Sequence, residues 1–101
     1  MDRRYTYKGV ELAYSIEGQG DALLLLHGWG CDRNIWQATI ELLRDHFMVV
    51  AVDFAGFGKS QEPNEVWGVE EYTCSIEALV KELGIVRPTL VGHSFGGRVS
   101  I

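Results

Sequence analysis

Ala22 to Leu26 reads "ALLLL", five consecutive apolar residues between the polar loop "GQGD" and the turn-forming "HGWG". A strand with one face to water alternates apolar and polar residues, whereas an unbroken apolar run of this length suits a strand covered on both faces. Covering both faces of a strand calls for helices above and below a mostly parallel sheet.

The remaining segments follow that plan. "VELAYSIE" alternates, with Val10, Leu12, Tyr14 and Ile16 on one face and Glu11, Ala13, Ser15 and Glu17 on the other. This pattern predicts a half-buried strand, paired through a turn at Gly9 with "RYTYK". Asp32 can cap a helix with apolar positions at Trp36, Ile40 and Leu43, and the strand "FMVVAVD" follows. A long loop, "FAGFGKSQEPNEVWG", leads to helical spacing over Glu70–Leu83, with Gly84 as its stop. Pro88 then opens the strand "TLV". Two antiparallel strands followed by strand, helix, strand, helix, strand predict an α/β domain over residues 1–101. The expected five-stranded sheet has "ALLLL" at its centre, between "FMVVAVD" and "TLV".

Composition narrows the function classes. Nine Lys and Arg against 14 Asp and Glu, a formal net charge of −5, supply no basic field for a phosphate backbone, so nucleic acid is not expected as a partner. No apolar stretch is long enough to span a bilayer and "MDRRYTYKGV" lacks the apolar core of a signal peptide, so no membrane partner and a cytoplasmic location are expected. Cys31 and Cys74 stand in no metal-binding spacing and are read as plain thiols.

Chemistry concentrates after the strands. Gly92-His93-Ser94-Phe95-Gly96 fits the G-x-S-x-G elbow, in which a serine on a sharp strand-to-helix turn projects its hydroxyl over a helix amino end. Acyl transfer also needs N–H donors for the oxyanion, one from the residue after the nucleophile and one from the loop after an earlier strand. Phe95 and Trp29 of "HGWG" occupy those positions. "DFAGFGKS" ends like a P-loop, but "QEPN" after Ser60 does not open a helix and Asp53 would repel a phosphate, so nucleotide binding is a remote alternative.

"HGWG", "DFAGFGKS" and "GHSFGG", in that order after successive strands, together resemble the α/β-hydrolase superfamily. They look especially like its small carboxylesterase and pimeloyl-carrier methyl ester esterase branches. The resemblance covers essentially the whole chain and implies a serine hydrolase of small esters or related acyl compounds, with no metal or organic cofactor. In that family Ser94 would be the nucleophile, and the backbone of Trp29 and Phe95 the oxyanion hole. Asp53 would be a turn-former in a structural loop and His27 a structural hydrogen-bonder. The triad acid and histidine follow the serine in this family. The expectation is therefore an amino-terminal portion of the fold, inactive alone, that self-associates through a bare "TLV" edge. His93 is expected to pack beneath the elbow and His46 to be solvated. The alternative is a non-catalytic chain or assembly module that keeps the elbow without its triad.

Overall fold

The computed structural model describes residues 2–28, 32–63, 67–85 and 88–92. Five strands form one sheet: β1 (Asp2–Tyr7), β2 (Val10–Glu17), β3 (Ala22–Leu26), β4 (Met48–Val52) and β5 (Thr89–Gly92). Their spatial order is β1-β2-β4-β3-β5. β1 and β2 form an antiparallel hairpin closed by Lys8 and Gly9, both at positive φ, the geometry of a tight two-residue turn. β2 runs antiparallel to β4, while β3 is parallel to both β4 and β5. "ALLLL" thus lies between the two strands expected to flank it, although β4 is the middle strand of the five.

All five residues of β3 are buried, because its two faces feed two cores. Leu24 and Leu26 join Leu12, Tyr14, Val50 and Val52 beneath Tyr72, Ile76 and Leu79 of helix α2 (Val69–Glu82). Leu23 and Leu25 join Val49, Ala51 and Ile40 of helix α1 (Gln37–Leu43). Burying each such leucine contributes roughly 1.5–3 kcal/mol, which is why the strand tolerates no polar residue.

The helix expected after Asp32 is divided. Asp32 does cap it, its carboxylate accepting the Asn34 N–H at 2.9 Å, but the first turn, Arg33–Trp36, is 3₁₀ and the α-helix starts at Gln37. Isolated 3₁₀ turns are common at α-helix starts. α2 lies one residue ahead of its expected bounds. The Glu71 carboxylate turns back to the Gly68 N–H, and Gly84 and Ile85 N–H donate to the carbonyls of Lys81 and Val80, closing the far end as a Schellman motif. None of the described helices is long and apolar enough to cross a membrane.

Candidate active site

The three parallel strands end together. Leu26 is in register with Val52 on one side and Gly92 on the other, so "HGWG", "DFAGFGKS" and "GHSFGG" all begin at one edge of the sheet. In open α/β sheets that carboxyl edge is where ligands bind. Trp29, Ser94 and Phe95, together with His93 and Cys31, lie outside the described residues. The structure describes the residues that lead to them and the scaffold beneath.

His27 follows β3 and is fully buried. Its Nε2 accepts the Phe54 N–H at 2.9 Å; a backbone N–H can only donate, so the ring proton sits on Nδ1, 2.7 Å from the Gly28 carbonyl that accepts it. The ring also meets Phe54 and Phe57 edge-to-face, at centroid distances of 4.8 and 5.7 Å. Burial holds its pKa below the usual imidazole value, against weaker opposing effects from the Gly28 hydrogen bond, Asp53 and Asp32. With both nitrogens committed and no solvent access, His27 is a neutral structural link and no general base. His46 is exposed and precedes β4, at the amino ends of the parallel strands, opposite the end marked by Leu26, Val52 and Gly92.

Asp53 is 1% exposed. Its Oδ1 accepts the Arg33 N–H at 2.8 Å and its Oδ2 the Lys59 N–H at 3.0 Å, with Arg33 Nε 3.3 Å from Oδ2. Both carboxylate oxygens are occupied by this chain's own donors, as befits a turn-former rather than a catalytic acid. The remaining letters of D-x-x-G-x-G-x-S are explained by the same turn. Ser60 Oγ donates to the Asp53 carbonyl at 2.6 Å and accepts the Ala13 N–H at 2.8 Å. Gly58, at φ +53°, lies so close to the Asp53 carboxylate that a Cβ there would overlap it. Lys59 and Ser60 do not open a helix, and the serine hydroxyl is consumed internally, which removes the basis for a P-loop.

Arg33 is the site-forming residue that the sequence did not advertise. It is 7% exposed although a single arginine beside a cap residue has the look of a solvated charge. Only the approach of Asp53, twenty positions along the chain, draws it inside. A polar cleft of about 410 Å³ opens beside this pair, with Glu17, Asp32 and Lys59 on its walls. Among the described residues no group of three or more His, Cys, Asp or Glu could hold a metal ion, and Cys74 is a free thiol.

Comparison with known proteins agrees with this architecture. Residues 21–101 match the family described as alpha/beta hydrolase fold. An uncharacterised protein of Mycobacterium tuberculosis is 38% identical over 96 residues, covering 95% of this chain and 28% of its own length. The pimeloyl-[acyl-carrier protein] methyl ester esterase of Vibrio cholerae is 37% identical over 94 residues, covering 90% of this chain and 34% of the esterase. The solved structure of epoxide hydrolase CorEH superposes with a TM-score of 0.95 at 30% identity, over 99% of this chain and 35% of that one. The chain spans about a third of the length of the relatives it matches. With its sheet order, its edge of converging loops and this match over most of its length, the chain belongs to the alpha/beta hydrolase fold family.

Proposed function

We propose that the protein is a serine hydrolase of small esters or related acyl compounds, with Ser94 as nucleophile and the N–H groups of Trp29 and Phe95 as oxyanion donors. The observation that carries this reading is the register of Leu26 with Gly92. Neighbouring strands lie about 4.8 Å apart. Residue 29 is three positions beyond Leu26 and residue 94 two beyond Gly92. Each residue reaches at most about 3.5 Å along the chain, so both stay within one substrate's dimensions of the strand ends.

In the proposed reaction, Ser94 Oγ forms a bond to the substrate carbonyl carbon as a histidine accepts its proton. The oxyanion draws on the two N–H groups, and collapse expels the alcohol, which takes up that proton. Water then releases the acid from the acyl-enzyme by the reverse proton path. Neither described histidine can be that base. In families of this kind the acid and base follow the serine, so the proposal places both after residue 101, and residues 1–101 alone should be inactive. Opening an epoxide through a covalent ester calls for a carboxylate nucleophile. Serine at position 94 thus favours the activity named for the V. cholerae relative over that named for CorEH.

The test is Ser94→Ala in the full gene product, assayed with p-nitrophenyl acetate and with a fluorophosphonate probe. Loss of a catalytic serine lowers kcat by on the order of 10⁶ in a comparable triad, and probe labelling should vanish with it. Unchanged turnover would remove the proposed nucleophile. A full gene product with neither turnover nor labelling would favour the non-catalytic module instead.

A further inference from the structure

One side-chain hydrogen bond joins the loops that leave β3 and β4, and it requires a neutral imidazole. His27 follows Leu26 directly and Phe54 stands two residues past Val52; the Phe54 N–H donates to His27 Nε2 at 2.9 Å. The ring's other nitrogen, Nδ1, donates to the Gly28 carbonyl at 2.7 Å. A proton added to Nε2 would set two donors against each other, so the Phe54 bond and the imidazolium exclude one another. Neither group can turn to water instead, since His27 and Phe54 are both fully buried.

The charged and titratable groups around the ring come from the loop after β4, from the turn before α1 and from α2. Asp53 and Asp32 favour the imidazolium, but burial, the larger effect, opposes it and holds the pKa of His27 below its ordinary value. Asp53 is already engaged: Oδ1 accepts the Arg33 N–H, Oδ2 accepts the Lys59 N–H, and Arg33 Nε lies 3.3 Å from Oδ2. On the α2 side Phe54 stands between His27 and Tyr72, meeting the two rings at 4.8 and 5.7 Å. The Tyr72 hydroxyl donates to the Ala55 carbonyl at 3.1 Å.

We propose that His27 is a proton-operated latch: neutral, it fastens residues 53–58 to the end of β3, and protonated, it releases them while the rest of the sheet stays folded. Release is one-sided, because the Nδ1–H bond to Gly28 survives protonation. What loosens is the Phe54 N–H and the turn in which the Phe57 N–H donates to the Phe54 carbonyl at 2.9 Å. Acid therefore loosens the carboxyl edge, where ligands bind in open α/β sheets, and neutrality closes it again. Histidine protonation works other two-state elements in the same way. The inference goes beyond the serine-hydrolase reading and uses none of its residues.

The test follows amide exchange in the full gene product between about pH 7 and pH 5, with each rate corrected for its intrinsic pH dependence. An open state that binds a proton with an ordinary histidine pKa, set against a closed state that resists it, gains population by up to about tenfold per pH unit below about 6.5. Protection of the Phe54 and Phe57 N–H groups should therefore fall by about 3- to 30-fold across that range. Met48 is the control: its N–H donates to the Asp21 carbonyl at 3.0 Å, at the amino ends of the strands, and its protection should hold. His46 lies two residues from Met48, so an effect arising there appears in the control. His27→Gln keeps an acceptor oxygen near the place of Nε2 and cannot take up a proton, and in it the pH dependence over residues 53–58 should disappear. Nitrogen NMR of the wild-type ring needs no variant. Nδ1 should carry the proton at about pH 7, and Nε2 should gain one with the midpoint at which Phe54 protection is lost. Should His27→Gln not fold, that coincidence decides alone.

A pH dependence that survives in His27→Gln, Met48 protection falling in step with that of Phe54, or ring protonation with Phe54 still protected would each overturn the latch. None of these readouts involves substrate or Ser94, so the latch and the proposed nucleophile fail separately.

Discussion

Replacing Gly58 by alanine should be among the most damaging single-methyl additions in this chain, and Gly9 provides its control. Both glycines have positive φ, +53° and +77°, so a side chain at either is disfavoured by about 1–2 kcal/mol. Loss of freedom in the unfolded chain offsets about 0.4–1 kcal/mol of that. A Cβ at Gly9 meets nothing within 4 Å, and Gly9→Ala should therefore cost only about 1 kcal/mol. At Gly58 the new carbon would overlap the Asp53 carboxylate. To escape, that carboxylate must leave the Arg33 and Lys59 N–H groups. Hydrogen bonds to a charged group contribute about 1.5–3 kcal/mol each, which brings the expected loss to about 4–7 kcal/mol. Domains are stable by only about 5–15 kcal/mol, so Gly58→Ala should lie near the threshold of folding. Urea unfolding of the full gene product carrying each variant separates the two contributions. A difference between them below about 1 kcal/mol would refute the claim that the Asp53 carboxylate is held where the structure places it.

Other perturbations have signs that can be worked out in advance. His27 binds its proton less readily when folded than its ordinary value of 6.5. Its contribution to stability should be full above about pH 6.5 and decline as pH falls toward the lowered folded value, because there the unfolded chain takes up a proton the folded chain refuses. Urea midpoints flat between about pH 7 and pH 5 would contradict this. Tyr5→Phe removes a buried O–H that donates to the Ser75 carbonyl at 3.0 Å and should cost about 1 kcal/mol, read from the same unfolding curves. Leu25→Ala, at a fully buried position of β3, should cost about 2–5 kcal/mol, and a loss under about 1 kcal/mol would mean the strand is not sandwiched. Residues 1–101 produced alone should self-associate through β5, the edge strand on the parallel side of the sheet among the described residues, where Leu90 is exposed. Sedimentation showing only monomer at high concentration would count against that.

Local pattern was enough to settle the element types, because period and continuity of apolar residues depend only on how many faces of a segment are buried. "ALLLL" announced a strand covered twice, "VELAYSIE" one covered once, and Gly84 a helix end, all from neighbours in sequence. The D-x-x-G-x-G-x-S turn was legible for a related reason, since glycines such as Gly58 mark backbone shapes that other residues resist. Sequence also named Trp29, Ser94 and Phe95 as the site, although these lie outside the described residues and their roles rest on the proposed function. The fate of the charged and titratable groups was decided only by tertiary structure. Arg33 is hydrophilic by type and buried by Asp53; His27 has a reactive side chain and is neutralised as a chemical group by Phe54 N–H and the Gly28 carbonyl. No local pattern encodes such outcomes, because solvation and partner choice depend on which loops the sheet brings to one edge, twenty to twenty-seven residues apart in the chain.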